Sequence, residues 1–313
     1  MLGKPMAVMV NRGVHTAGGG REAAASIGLP IVGEDPKDLL VTDGGNALVG
    51  MGHPVTLEDA LSKECCSRFA ANPAPLERNS VSELVVVPHN LSVAARRISD
   101  TSGTPLAEIT RMITTARENQ PQLSVFDVNG NLTTFTKPTN EVITGPFGDR
   151  LRGIMRRRGF DTDLDPHPDT PTSVIGFTLV VSDIRVSEKF YRETLGLSVL
   201  RRDEKVSFDA GPIILRIQPE KFLGQVKQQR EQRLLKDQLI FYVREIKKEY
   251  DFLSDRGVVF PGGIEGSVSA GFVAYFQDPD GHNLWLWEPP TKFTPDMPIN
   301  YFPVLDRILR EFG

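Results

Sequence analysis

The sequence has few of the features that mark a secreted or membrane-bound protein. It contains only two cysteines among 313 residues. Because Cys65 and Cys66 are neighbours, a disulfide between them would be strained and would close no useful loop. No apolar run approaches the roughly 18 residues of a transmembrane helix, and the first twenty residues lack the apolar stretch of a secretory signal. We therefore expect a soluble, cytoplasmic protein with reduced thiols and no membrane partner.

An excess of basic charge is also absent. The formal net charge is -4, whereas a dedicated nucleic-acid-binding protein usually carries a strongly basic face. The basic run that ends at Arg158 is followed at once by Asp161, Asp163 and Asp165, so a solvated helix end is the simpler interpretation. We expect no nucleic-acid partner.

The length suits two domains, and one boundary is clear. Residues 160–172 read FDTDLDPHPDTPT, which holds four aspartates and three prolines and cannot be buried as a regular element. This Asp/Pro-rich linker predicts one domain over 1–159 and a second over 173–290. A separate amphipathic helix is predicted within 291–313.

The N-terminal segment predicts a small α+β domain, preceded by a Gly/Pro-rich part. Residues 82–88 have the composition of a buried strand, and helices are predicted within 91–99 and 104–118. Residues 124–136 predict a hairpin, because Asn129-Gly130 is the dipeptide that a tight primed turn demands. We found no family resemblance in this half.

The second half contains an internal repeat. A shift of 62 positions lays Val181 on Val243, Ile184 on Ile246 and Phe190 on Phe252, each pair at the same point of a strand followed by an amphipathic helix. Three further strand-like segments follow each copy. Each copy therefore predicts a βαβββ module, since chance rarely reproduces one order of elements at a fixed offset.

Two motifs make a family resemblance specific. SDIRVSEKFYRETLGL and FQDPDGHNLWLWE resemble the first helix and the closing hairpin of the glyoxalase/bleomycin-resistance/extradiol dioxygenase (vicinal oxygen chelate) family. The resemblance covers residues 172–290. It implies an α+β fold in which the two C-terminal modules pair into a cup-shaped sheet that surrounds a pocket, and family members commonly form dimers.

The resemblance also implies where a metal would bind, on the first and last strands of each module. The matching positions are Gly176, Gln238, Trp285 and, within a residue or two, Arg216. Glycine offers no donor, the indole N–H cannot coordinate, and arginine repels a cation. We therefore expect no metal and no other cofactor.

Strand alternation selects the side chains that face the cup. The predicted lining suits a flat, largely apolar molecule with one polar or anionic group, or else the two tryptophans simply fill the cup. His282, in the turn, is expected to be exposed. The predicted ligand-binding residues are Gln238, Tyr242, Trp285, Trp287, Thr178 and Arg216.

Three functions remain open at this point. The first is metal-independent binding of a small aromatic or amphiphilic molecule, or cofactorless catalysis on one, with no catalytic residue identified. The second is a metal-dependent lyase, isomerase or dioxygenase with non-standard ligands, and the third is a non-catalytic scaffold. The apolar stripe of PVLDRILREF, residues 303–312, must be buried against the N-terminal domain or a second subunit in a homodimer.

Overall fold

The computed structural model describes residues 8–14, 19–34, 40–54, 82–88, 90–115, 121–126, 131–136, 145–156, 173–219, 237–268, 271–290 and 302–312. The cysteine pair, the 160–172 linker, the Asn129-Gly130 turn and residues 220–236 lie outside these residues. No helix among the described residues is long and apolar enough to cross a membrane.

The described part of the N-terminal half contains two modules of the βαβββ kind, the second with two helices in place of one. Module 1 comprises β1 (Val8–Val14), α1 (Gly19–Ile27), β2 (Ile31–Glu34), β3 (Leu40–Asp43) and β4 (Leu48–Pro54). Module 2 comprises β5 (Ser82–Val87), α2 (Leu91–Ser102), α3 (Leu106–Met112), β6 (Thr114–Thr115), β7 (Pro121–Phe126) and β8 (Leu132–Thr136), and α4 (Gly145–Arg156) follows it.

The C-terminal half contains the two modules that the repeat predicts. Module 3 comprises β9 (Ser173–Val181), α5 (Ile184–Lys189, continued by a π-helical turn over Phe190–Thr194), β10 (Ser198–Arg202), β11 (Val206–Ala210) and β12 (Ile213–Pro219). Module 4 comprises β13 (Gln238–Tyr242), α6 (Ile246–Ser254), β14 (Glu265–Ser267), β15 (Gly271–Gln277) and β16 (Asn283–Glu288). Helix α7 (Phe302–Phe312) ends the described chain.

Local sequence explains where several helices begin and end. Asn90 caps α2, because its side-chain oxygen accepts from the backbone N–H of Ser92 at 2.7 Å. Gly103 ends that helix in the left-handed conformation, with φ at 70°. Asp183 caps α5 in the same way as Asn90, by accepting from the N–H of Arg185 at 2.8 Å.

The described strands form two eight-stranded sheets, and each sheet combines one module from each half of the chain. Sheet A has the order β14-β15-β16-β13-β1-β4-β3-β2, and sheet B has the order β10-β11-β12-β9-β5-β8-β7-β6. The first strands of the paired modules meet antiparallel, β1 with β13 and β5 with β9. The predicted α+β fold of βαβββ modules is confirmed. The structure differs in the partners, since modules 3 and 4 lie in different sheets.

One core joins the two sheets. Alternate residues along the strands of both sheets pack with the helices in a single buried apolar cluster. Val10 and Phe241 contribute from sheet A, and Leu84 and Phe177 contribute from sheet B. We call the opposite side of each sheet its outer face. Because side chains alternate along a strand, every strand supplies one set to the core and one to the outer face.

Arg12 of β1 ties the two sheets together inside this core. Its side chain is fully buried, and Nη2 lies 3.5 Å from Asp237 Oδ2, whose side chain is 1% exposed. The guanidinium also donates to Thr133 Oγ1 at 2.7 Å and to the Leu132 carbonyl at 2.8 Å, both in β8. Ser82, at the start of β5, donates to the same Asp237 oxygen. These bonds connect modules 1, 2 and 4.

The turn between β15 and β16 ties module 4 to module 3. Asp278 accepts from the Tyr191 hydroxyl at 2.7 Å and is 2.7 Å from His282 Nδ1. Asp280 accepts from the hydroxyls of Ser182 at 2.6 Å and Ser187 at 2.7 Å. His282 is 2% exposed, so the prediction that it is exposed was wrong: the Asp278 carboxylate binds its ring inside the turn.

This network shifts the pKa values of Tyr191 and Asp278 in opposite directions. Burial first, and then the charge of Asp278, raises the pKa of Tyr191 well above its usual value, so its hydroxyl remains a donor. Burial acts to raise the pKa of Asp278, but attraction to His282 and the hydrogen bonds from His282 and Tyr191 outweigh it and hold that pKa below the usual range.

We predict that Arg12→Leu lowers the free energy of unfolding by about 3–5 kcal/mol, because the buried Asp237 carboxylate loses its guanidinium partner. Urea denaturation measures the loss. The matched control is Arg21→Leu, which removes an exposed pair with Glu34 and should cost about 0–1 kcal/mol. Equal losses in the two variants would contradict the role given to Arg12.

We predict that Asp278→Asn lowers the free energy of unfolding at pH 7 by about 1.5–3 kcal/mol, through loss of hydrogen bonds to a charged group. The pKa of Asp278 is depressed in the folded protein, so its charged form stabilises the fold at pH values above the pKa of an aspartate in the unfolded chain. The difference in free energy of unfolding between wild type and variant should therefore shrink as the pH falls below about 4. Urea denaturation between pH 7 and pH 3 tests this. Asp251→Asn, which removes an exposed pair with Lys247, should differ from wild type by less than about 1 kcal/mol throughout.

Candidate functional site

The outer face of sheet A is aromatic. Tyr242 and Trp287 lie on adjacent strands with ring centroids 4.5 Å apart, and Trp285 packs edge-on against Tyr275 at 4.4 Å. Tyr242 is 1% exposed and Trp287 is 9% exposed. This face therefore carries four of the six predicted ligand-binding residues, namely Gln238, Tyr242, Trp285 and Trp287.

Helix α7 covers part of this aromatic face. Leu305 and Ile308, which are 1% and 0% exposed, belong to one apolar cluster with Met9, Tyr242 and Trp287. The predicted amphipathic C-terminal helix thus buries its stripe against strands from both halves of the chain. Trp287 is buried, as expected if the tryptophans fill a packed core. Trp285 is only half-buried.

An arginine anchors α7 at the rim of the sheet. Arg307 makes a two-pronged pair with Asp43, with Nη1 3.0 Å from Oδ2 and Nη2 2.8 Å from Oδ1. Nη2 also donates to the Gly45 carbonyl at 2.8 Å. This planar, bidentate geometry fixes the direction of the helix as well as its position.

A series of polar side chains crosses the outer face of sheet B. The strand register places Glu83 opposite Thr178, Thr178 opposite Arg216, and Arg216 opposite Ser207. On the other side of β5, Thr134 and Ser124 share this face. We call this cross-strand series the polar row; it consists of Ser124, Thr134, Glu83, Thr178, Arg216 and Ser207.

The acidic end of the polar row is hydrogen-bonded. Thr134 donates to Glu83 Oε1, and its hydroxyl lies 2.7 Å from that of Ser124. Ser124 is exposed, Thr134 is 5% exposed, and Glu83 is half-buried. A chain of hydroxyls therefore runs from the surface to the Glu83 carboxylate.

The centre of the polar row has an unsatisfied hydroxyl. Thr178 is 1% exposed, and its Oγ1 has no hydrogen-bond partner. Arg216 follows on the next strand, half-buried, with Nε 3.4 Å from Ser207 Oγ. A buried hydroxyl without a partner costs about 1–3 kcal/mol, so this position favours a group that supplies the missing bond.

The metal positions expected from the resemblance are divided between the two sheets, with Gly176 and Arg216 in sheet B and Gln238 and Trp285 in sheet A. On the outer face of sheet B, the first and last strands of the two modules also present Glu83, Thr178 and Thr134, so the set there is one carboxylate, two hydroxyls and a cation. Within the described ranges, no three His, Cys, Asp or Glu side chains are grouped closely enough to hold a metal. A divalent metal needs three or four oxygen, nitrogen or sulfur donors, and these side chains do not supply them.

The six predicted residues do not share one site. Gln238, Tyr242, Trp285 and Trp287 lie in sheet A, whereas Thr178 and Arg216 lie in sheet B. The binding role assigned to them stays a prediction. Sequence reasoning missed Glu83, although a carboxylate one residue into the otherwise apolar strand 82–88 was a signal that could have found it.

Two comparisons of structures support the architecture of the whole chain. A protein of Bacillus subtilis subsp. subtilis str. 168 described as a dioxygenase aligns with a TM-score of 0.55 over 99% of this chain and 97% of its own, at 12% identity. A glyoxalase I mutant of Zea mays aligns with a TM-score of 0.54 over 90% of this chain and 92% of its own, at 11% identity. At these identities the likeness shows the fold alone.

The sequence comparisons bear on the second half. A search of curated protein sequences gave no match. A family model matches modules 3 and 4 from the first residues of β9 to β16, in agreement with the resemblance found in the two motifs. Residues 174–286 therefore belong to the Glyoxalase/Bleomycin resistance protein/Dioxygenase superfamily.

Proposed function

We propose that this protein binds a small polar molecule on the outer face of sheet B, through side chains and without a metal ion. The observation that carries the proposal is the buried, unpartnered hydroxyl of Thr178 between Glu83 and Arg216. Buried polar groups are almost always hydrogen-bonded, and exceptions call for an explanation. A bound ligand supplies the bond that the protein leaves unmade.

The two charges beside Thr178 define the ligand class. Glu83 accepts hydrogen bonds and Arg216 donates them, and they lie on strands separated by β9, so their backbones are about 10 Å apart. A ligand that spans them has an anionic group for the guanidinium and a hydrogen-bond donor or cation for the carboxylate. Amino and hydroxy carboxylates have this pattern.

Sheet A supports a different role. Helix α7 lies over the aromatic side chains that were expected to hold an aromatic or amphiphilic ligand, and Arg307 fixes it there. We propose that the sheet A face around Tyr242 and Trp287 is structural and that sheet B binds the ligand. This division explains why two copies of one architecture in one chain carry such different outer faces.

We predict that Thr178→Val raises the free energy of unfolding of the ligand-free protein by about 1 kcal/mol, because it removes a buried hydroxyl without a partner. Thr133→Val is the matched control on the core side of β8. It should lower the free energy by about 1–3 kcal/mol, because Thr133 accepts from Arg12. Equal destabilisation in urea unfolding would show that the Thr178 hydroxyl is structural.

We predict that a thermal-shift screen of non-aromatic compounds finds ligands among amino carboxylates and hydroxy carboxylates and none among neutral or purely cationic compounds. Arg216→Gln should weaken binding about 10- to 100-fold, through loss of a charge-assisted hydrogen bond. Treatment with a metal chelator should leave binding unchanged. Titration calorimetry of each hit measures both effects.

The matched control for this experiment is Arg202→Gln. Arg202 lies on β10 in the same module and pairs with Glu188 of α5, so this variant should bind like wild type. The proposal fails if the screen finds no compound of the two expected classes, if the Arg216 variant keeps its affinity, or if chelation abolishes binding.

A further inference from the structure

A separate cavity of about 360 Å³ lies beside β15, away from the polar row. Its walls come from the end of α5, from residues 256–262 after α6, and from the β15–β16 hairpin. It therefore lies between modules 3 and 4. Its volume is at the lower end of the range for small-molecule sites, about 300–1,000 Å³.

Aromatic side chains line the same space. Tyr275 and Trp285 pack edge to face, with ring planes at 88°, and Phe190 contributes from α5. Val259, which is 73% exposed, adds an apolar side chain to the lining. This lining suits a planar aromatic molecule, because aromatic pairs add attraction beyond simple burial.

Arg256 and Asp278 are the two charged residues that line the cavity. Both oxygens of Asp278 are already occupied, Oδ1 by the N–H groups of Asp280 at 3.0 Å and His282 at 2.8 Å, and Oδ2 by Tyr191 and the His282 ring. These donors offset its negative charge, so it repels an anion less than a bare carboxylate would.

The Arg256 guanidinium is held in position. Its carbon lies 3.5 Å from the Phe252 ring centroid, and Nη1 donates to the Phe252 carbonyl at 3.1 Å. A guanidinium has five N–H donors, and this bond uses one. Arginine held in this way recognises planar carboxylates well.

We infer that this cavity binds a small aromatic carboxylate, with its ring against Trp285 and Tyr275 and its carboxylate at Arg256. The site is distinct from the polar row, because Arg216 lies in the other sheet. The inference does not depend on the function proposed for sheet B.

The test uses tryptophan fluorescence. The chain has two tryptophans, so Trp287→Phe leaves Trp285 as the single reporter at the cavity. This variant is titrated with benzoate, with the neutral ring compound benzyl alcohol, and with the non-aromatic anion cyclohexanecarboxylate. We expect a saturable response to benzoate. Benzyl alcohol lacks the carboxylate and should bind about tenfold more weakly. Cyclohexanecarboxylate lacks the aromatic contact and should bind about two- to tenfold more weakly.

Charge variants then locate the carboxylate. In the same background, Arg256→Gln should weaken benzoate about tenfold and leave benzyl alcohol unchanged. Lys247→Gln is the control, because it removes one positive charge from α6, the helix that precedes Arg256 in the chain. It should change neither the affinity for benzoate nor the affinity for benzyl alcohol. If Trp287→Phe does not fold, ligand-observed fluorine NMR of 4-fluorobenzoate with wild type and Arg256→Gln gives the same comparison.

Three outcomes would overturn the inference. They are the absence of saturable benzoate binding, an unchanged benzoate affinity in Arg256→Gln, and binding of cyclohexanecarboxylate as tight as that of benzoate. Loss of the benzoate response in Arg216→Gln would also overturn it, because the ligand would then lie on sheet B.

Discussion

The ion pair between Arg12 and Asp237 lies where the two sheets meet, and the arrangement of the modules depends on it. Arg12 belongs to the first strand of module 1, and Asp237 directly precedes the first strand of module 4. The bonds from Arg12 to β8 and from Ser82 to Asp237 bring in module 2. A charge without solvent contact requires a partner in a defined place, so this pair selects one relative position of the sheets among those that would bury similar apolar area.

Each sheet is built from one module of the N-terminal half and one module of the C-terminal half. Module 1 completes the sheet of module 4, and module 2 completes the sheet of module 3. The segment 174–286 that matches the family model therefore supplies half of each sheet. Among the described strands, each eight-stranded sheet takes four strands from each half of the chain, and the two halves join through the β1–β13 and β5–β9 edges.

The outer faces of the two sheets differ because their side chains differ at equivalent strand positions. Sheet A presents Tyr242 and Trp287, which cost free energy when exposed, and α7 buries them. Sheet B presents Glu83, Thr178 and Arg216, which an apolar helix would leave without hydrogen bonds. The same physical rule therefore explains why an apolar helix packs on the outer face of sheet A and why the outer face of sheet B carries hydrogen-bonding side chains.

Much of this structure is encoded locally and was predicted from the sequence. The 62-residue repeat placed Ile184 and Ile246 at the starts of equivalent helices, and both residues begin a helix in the structure. Strand β5 and the two strands of the 124–136 hairpin were also predicted, and the resemblance to the superfamily is confirmed by the family model. Periodicity and turn chemistry are properties of neighbouring residues, so one sequence suffices to recognise them.

The pairing of strands was decided only in the tertiary structure. Alternation along β9 and β13 showed which residues share a face, but the partners across the sheets, such as Glu83 beside Thr178, lie far apart in the chain. For the same reason, the separation of Thr178 and Arg216 from Trp285 and the burial of His282 could not be read from local pattern. The sequence by itself determined the modules and the alternation of their side chains. Long-range edge pairing and the buried Arg12–Asp237 contact determined which modules share a sheet and hence which side chains meet.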